Sequence, residues 1–414
     1  MKNEILSHLN DPGYLEKLYR NNKAPFKREF SALYPELRGN LLADCWNERL
    51  HYESEDINWG TGRELLYVAI AALFAGFIAK IPAVFQIDED FFYPRNIGFI
   101  FLPLLTAYFA WKNNLQLKRI AVVFGVMLVS LLYVNALPIS TTSDTLILAC
   151  IHLPLLLWVL LGTAFSGNNL NDYNRRLDYL RYNGELVVMT TLILISGAIM
   201  TGLTIGLFSL IGFQIEELYF QYVGIFGLAA APIVGTYLTQ ANPQLVNKVS
   251  PVIARIFSPL VLLMLVIYLL AIIYSGKDPY NDREFLIIFN LLLIGVMAII
   301  FFSVAESSKT TGNITATWVL FLLSAVTVVV NGIALSAILF RIVEWGVTPN
   351  RLAVLGSNLL ILLNLLFITV QLFRSLTRKS DLAEVGKTIA LFLPFYGLWA
   401  VVVLFLFPLL FGFR

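Results

Sequence analysis

From Leu65 onward, apolar runs of roughly 16 to 25 residues alternate with short polar breaks, and nothing else narrows the possible folds so far. A helix rises about 1.5 Å per residue, so each run is long enough to cross about 30 Å of hydrocarbon. Inside lipid the backbone must satisfy its own hydrogen bonds, which leaves helices as the solution for runs of this length. Eleven can be drawn, approximately over 65-85, 96-111, 120-139, 145-165, 186-210, 220-240, 259-274, 285-304, 316-340, 351-373 and 389-411. A soluble protein would have to hide all of them, yet 58% of the 414 residues are apolar and 14% charged, too few to cover such a core. The chain therefore reads as an all-α polytopic membrane bundle of about 11 transmembrane helices over residues 65-414, behind a cytosolic helical segment over 1-64. The first run lies behind a polar leader, so it is expected to act as an uncleaved span and not as a signal peptide.

Orientation follows from where the basic residues fall. The leader and alternate connections carry 22 Lys and Arg, against 6 in the opposite connections and at Arg414. The positive side faces the cytoplasm, which predicts a cytoplasmic amino terminus and, after eleven crossings, a carboxyl terminus in the periplasm or outside the cell. A net charge of +2 is too small to suggest nucleic acid as a partner. Cys45 and Cys150 form no Cys-x-x-Cys or Cys/His spacing, so no metal centre is read and no cofactor is expected.

The leader carries helical stripes, for example Leu37, Leu41 and Cys45, and is punctuated at Pro12, Pro25 and Pro35. Small residues at helical spacing, Gly197, Thr201, Gly202 and Gly206 in the fifth run and Gly224, Gly227, Ala231 and Gly235 in the sixth, predict close packing of these two helices.

Polar groups inside the runs are few. Ser324, Thr327 and Asn331 share one face of the ninth run, and Ser357, Asn364 and Gln371 recur every seven residues along the tenth. With Asn290 and His152 they form a candidate intramembrane seam, which either lines a polar pathway or bonds helix to helix. Lys80 sits near the end of the first run, where its stem allows it to snorkel. Glu306 and Lys309, three residues apart, read as an interfacial ion pair.

The densest chemistry lies between Tyr274 and Asn290. Gly276-Lys-Asp-Pro279 and Gly346-Val-Thr-Pro349 share Gly-x-x-Pro, and each is followed by an Arg seven residues before an Asn: Arg283 to Asn290, and Arg351 to Asn358. One reading is an outer-face site in which Lys80, Arg95, Arg283 and Arg351 meet Asp278, Asp282, Glu284 and Glu344 around a charged solute or lipid headgroup. The other is helix capping and anchoring at headgroup level. Asp88-Glu89-Asp90 reads as a solvated acidic run, with divalent-cation attraction as its sharper alternative. No phosphate-binding loop, nucleophile elbow or His-Glu-x-x-His is present, so nucleotide hydrolysis, that acyl transfer and zinc proteolysis lack their parts and an enzyme is the less favoured class.

Leu15-Glu-Lys-Leu-Tyr-Arg20, Leu33-Tyr-Pro-Glu-Leu37, Asp44-Cys-Trp-Asn-Glu-Arg-Leu50, the two Gly-x-x-Pro turns and the ending Leu393-Pro-Phe-Tyr-Gly-Leu-Trp399 together resemble the bacterial multi-pass membrane proteins grouped as domain of unknown function 4153. The resemblance runs over nearly the whole chain. It implies a bacterial inner-membrane protein with a complete carboxyl terminus, and supplies no substrate, cofactor or catalytic residue. The functional expectation is a transporter or permease for a small charged or amphiphilic solute. The alternatives are a transferase acting on a lipid headgroup at the outer surface, and a sensor or assembly scaffold working through the leader. Partners are the bilayer and a small-molecule or lipid ligand, with no oligomeric state specified.

Overall fold

In the computed structural model, the described residues are 2–21, 23–51, 60–138, 143–210, 214–242, 258–267, 269–270, 280, 283–307, 314–377 and 381–413. The chain divides into two compact units, Met1–Asn58 and Trp59–Arg414.

The first unit holds α1 (Lys2–Ser7), α2 (Pro12–Asn21), α3 (Lys23–Leu37) and α4 (Leu41–His51). Short polar side chains start the helices: Asp11 Oδ1 accepts from Gly13 N and Tyr14 N at 3.1 Å, and Asn40 Oδ1 accepts from Leu42 N and Ala43 N. Ile5, Leu15, Phe26, Phe30, Leu33, Ala43, Trp46 and Leu50 form its core. The stripe through Leu37, Leu41 and Cys45 is not the buried one. Gly39, at φ +93°, separates α3 from α4, so Leu37 and Leu41 lie on different helices, and Leu41 and Cys45 are exposed.

The second unit contains α5 (Gly62–Phe85), α6 (Glu89–Lys112), α7 (Leu117–Ala136), α8 (Asp144–Ser166), α9 (Tyr173–Leu210), α10 (Glu216–Ala241), α11 (Ser258–Ile267), α12 (Arg283–Ser307), α13 (Ile314–Trp345), α14 (Pro349–Leu376) and α15 (Leu382–Leu410). Each expected run falls on one of these helices, and no strand occurs among the described residues. The fold is an all-α polytopic bundle. Among the described residues, nine helices are long and apolar enough to cross a membrane. The two others are α6, which is long but carries Glu89, Asp90, Arg95 and Lys112, and α11, which is short; the rest of that run, from 271, lies outside the described residues.

Caps set the helix starts. Thr61 and Glu64 form a capping box on α5, Asp88 Oδ1 accepts from Phe91 N at 2.8 Å on α6, and Ser143 accepts from Leu146 N on α8. Asp88 is thus a cap, and no group of His, Cys, Asp and Glu suited to a metal occurs among the described residues. Helix α9 begins at Tyr173, well before the expected 186, so most of the polar connection is helical.

Pro394 in α15 has no N–H to give and crowds the carbonyl four residues back, which belongs to Ala390. Arg176 Nη1 donates to that carbonyl at 3.1 Å. Near Pro408 the same helix widens into a π-turn over Val402–Leu406, and the Tyr133 hydroxyl donates to Phe405 O at 3.1 Å.

Two apolar cores fill the bundle. One gathers α5 to α8, the start of α9 and α10; the other gathers the start of α9, α11 to α14 and the first part of α15. Trp158 packs against both. The contact between α9 and α10 is made at Gly235, where an added Cβ would lie 2.8 Å from Thr190 Oγ1, while Gly197, Gly202 and Gly227 meet no neighbour within 4 Å. Only part of the small-residue stripe is therefore used for close packing.

Candidate functional site

The polar seam is buried and bonded. Ser324, Thr327, Asn331 and Asn364 are fully buried and Asn358 nearly so. Ser324 Oγ and Thr369 Oγ1 lie 2.6 Å apart, Thr327 Oγ1 donates to Leu323 O at 2.6 Å, and Asn331 Nδ2 donates to Asn358 O at 3.1 Å. Asn358 Nδ2 donates to Asn290 Oδ1 at 3.0 Å, so the two asparagines that follow the two Gly-x-x-Pro turns meet each other. Asn364 Nδ2 donates to the Tyr396 hydroxyl at 3.0 Å, and Gln371 is half-buried near the end of α14. These bonds tie α13 to α14, α14 to α12 and α14 to α15.

The cavity lies elsewhere. Helices α8, α9, α12, α14 and α15 enclose a cleft of about 380 Å³, within the range of small-molecule sites. Its wall is apolar and aromatic, including Trp158, Phe301, Phe302, Tyr396 and Trp399. Four polar side chains interrupt it, each anchored on a neighbour. His152 Nδ1 lies 2.9 Å from Leu148 O, Asn183 Oδ1 accepts from Trp158 Nε1 at 2.8 Å, Ser357 Oγ accepts from Trp399 Nε1 at 3.0 Å, and the Tyr396 hydroxyl accepts from Asn364.

Two glycines make room for the aromatic walls. A Cβ on Gly184 would stand 2.1 Å from the Phe302 ring, and one on Gly356 would stand 2.1 Å from the Trp399 ring. Leu155, Val187 and Ile294 line the cleft and are also exposed, so it opens through the side of the bundle. Leu155 is eleven residues from either end of α8. At 1.5 Å per residue that is about 16 Å, the midplane depth of a spanning helix. The exposed residues at the mouth of the cleft thus include one at the middle of α8.

A second cavity, of about 340 Å³, shares Trp158, Val159 and Leu393 with the first. It reaches the start of α9 and is lined by Thr163, Ser166, Asn171, Arg176 and Tyr179.

The outer-face candidates are dispersed. Lys80 is buried with Nζ 4.5 Å from the Tyr222 ring centroid, held by an aromatic face where snorkelling was expected. Arg95 is buried against Phe91, its Cζ 4.2 Å from the ring centroid and Nη1 donating to Phe91 O at 3.2 Å; its Nε and Nη2 have no partner among the described residues. Arg351 closes the turn between α13 and α14: Nη1 donates to Trp345 O at 2.9 Å and Gly346 O at 2.7 Å, Gly346 takes φ +78°, and Thr348 caps α14 ahead of Pro349. Glu344 is exposed, and no ion pair joins it to Arg351. Asp278 and Asp282 lie outside the described residues, and Arg283 and Glu284 fall in the first turn of α12, where only the backbone is described.

Sequence reading missed an ionic group on α9. Arg181, buried, pairs with Asp178 at 2.8 Å and with Glu306 at 3.3 Å, and it donates to Ala305 O at the end of α12. Glu306 thus turns to Arg181, and Lys309, its expected partner, lies outside the described residues. Arg176, Arg181 and Asn183 fall in the polar break between the runs 145-165 and 186-210, where hydropathy alone marks no helix. The signal was present as Leu177, Leu180 and Gly184, a helical apolar stripe among the charges.

No family model, curated protein or solved structure compared with the chain matches it.

Proposed function

We propose that this protein binds, and moves within the membrane, an amphiphile whose acyl chain occupies the cleft between α8, α9, α12, α14 and α15, which makes it a lipid-handling member of the transporter class. The observation that carries this reading is the sideways, midplane opening of an apolar cleft with a few anchored polar groups. A small charged solute finds less support. Charge is expensive at that depth, and Ser324, Asn331 Nδ2 and Asn358 Nδ2 along α13 and α14 are engaged by neighbouring helices. A headgroup transferase at the outer turns is likewise weakly supported, because Arg351 is engaged in closing a turn. The excess of basic residues on one side supports a cytoplasmic first unit, and the motif resemblance supports a bacterial inner membrane.

The test is photolabelling of the full-length protein in bilayers with a phospholipid carrying a diazirine at mid-chain, followed by peptide mapping. Adducts are expected on Phe301, Phe302 and Tyr396, inside the cleft. Adducts confined to outward residues such as Leu73 and Leu132 would reject the reading.

A further inference from the structure

The second cavity carries a chemistry that the first does not. Its lining contains a single formal charge, Arg176, and no carboxylate, together with Thr163, Ser166 and Asn171. Arg176 is held from two directions. Nε donates to Leu170 O at 3.0 Å, and Nη1 donates at 3.1 Å to Ala390 O, the carbonyl that Pro394 leaves without its helical donor. The guanidinium also lies against the Tyr173 ring, with Cζ 5.7 Å from the centroid. Nη2 has no partner among the described residues. A guanidinium fixed by two carbonyls meets an anion with little further loss of side-chain freedom, and its planar fork suits phosphate and carboxylate oxygens.

The two cavities share Trp158, Val159 and Leu393. Trp158 stands at this junction with both ends tied: its Nε1 donates to Asn183, and its carbonyl accepts from the Tyr179 hydroxyl at 2.6 Å. One side of the indole is an uncharged aromatic cleft at midplane depth. The other is a pocket bearing Thr163, Ser166, Asn171 and Arg176, which reaches the end of α8 and the start of α9 beside the middle of α15. That is the division of an amphiphile into tail and head.

Resting on the acyl-chain reading of the cleft, we infer that the guest has an anionic headgroup, which Arg176 recognises in the second cavity while the tail runs past Trp158 into the first. The guest is thus an anionic lipid, as opposed to a zwitterionic one. The other candidate cations do not offer the same combination. Arg351 is occupied with the turn at Gly346, and neither Lys80 nor Arg95 lines either cavity.

The experiment uses full-length protein in bilayers with two mid-chain diazirine probes at equal mole fraction, a phosphatidylglycerol and a phosphatidylcholine. Adducts are counted on cleft residues Phe301, Phe302 and Tyr396. Wild type should give several-fold more cleft adducts with the anionic probe. Arg176→Gln should bring the two probes to parity, and Arg176→Lys, which keeps the charge, should retain a preference. Equal labelling by both probes in wild type would overturn the anionic headgroup and leave the acyl-chain reading standing; this arm needs no variant. An undiminished preference in Arg176→Gln would overturn the assignment to Arg176. Absence of cleft adducts with both probes would overturn the acyl-chain reading and the inference with it.

Discussion

The seam between α13 and α14 and the cleft beside α8 are built from similar residues and end in opposite states. Both contain Ser and Asn side chains on apolar helices. In the seam Ser324, Thr327 and Asn331 bond to the facing helix or to their own backbone, while the buried oxygens Asn331 Oδ1 and Asn364 Oδ1 have no partner among the described residues. In the cleft His152 bonds the Leu148 carbonyl of its own helix, and the other polar groups are bonded in pairs that include an aromatic side chain of the wall. Ser357 holds Trp399, Asn183 holds Trp158, and Asn364 holds Tyr396. Both sets of bonds join helices; what differs is that Trp158, Tyr396 and Trp399 stand in the wall of the open cleft, whereas Ser324, Thr327, Asn331 and Asn358 are buried and line neither cavity. Ser357 and Asn358, adjacent in sequence, fall on either side of this division.

The contrast predicts that changes in the cleft alter ligand occupancy more than stability, and changes in the seam do the reverse. The largest effect is expected from Ala298→Phe, which adds a ring at an exposed position on the cleft wall. Mid-chain labelling of Tyr396 should fall about tenfold while thermal stability changes by less than about 1 kcal/mol, since surface substitutions act weakly. A variant that labels normally would separate the cleft from the bound lipid.

Gly356→Ala should act on both quantities. Its Cβ displaces the Trp399 ring and strains the bond to Ser357, so stability should fall by about 1–3 kcal/mol, as for overpacked cores, and labelling by several-fold. Unchanged melting and labelling would show that Trp399 does not hold the wall.

Asn358→Ala removes the bond to Asn290 and should cost about 1 kcal/mol or less, typical of interhelical bonds in membranes, with labelling unchanged. Loss of labelling at full stability would erase the distinction between seam and cleft.

The smallest effect belongs to the first unit. The Arg20 hydrogen bond, aided by Arg49, holds the Glu16 carboxyl below its ordinary range, despite desolvation acting the other way. A lowered folded pKa means that the stabilisation is present above the unfolded value near 4.3 and is lost as pH falls through the folded one. Exposed pairs contribute about 0–1 kcal/mol, so Glu16→Gln should remove a shallow acid-side loss of Trp46 fluorescence stability. An identical acid profile would mean that the pair contributes nothing.

Much of the fold was legible because spanning length is a direct property of the sequence: nine of the eleven runs fall, among the described residues, on helices long and apolar enough to cross a membrane. The start of α9 was not, because Arg175, Arg176, Asp178, Arg181 and Glu185 lower the hydropathy of a segment that is nonetheless helical. The seam residues could be named from Ser324, Asn331 and Asn364, but their state could not, since a polar stripe looks the same whether it faces water or another helix. The cleft was least legible. It depends on Gly184 and Gly356 yielding space to Phe302 and Trp399, rings that sit far away in sequence. His152 and Ser357 stand out in the sequence as polar groups within apolar runs, yet nothing in their neighbourhoods says that they share one wall.

The most direct test of the acyl-chain site is a cryo-electron-microscopy map of the full-length protein in lipid nanodiscs. An elongated non-protein density between Phe302 and Trp399, continuing past Trp158 toward Arg176, is the predicted result. An empty or water-filled cleft, with extra density running along Ser324, Thr327 and Asn331 instead, would contradict it.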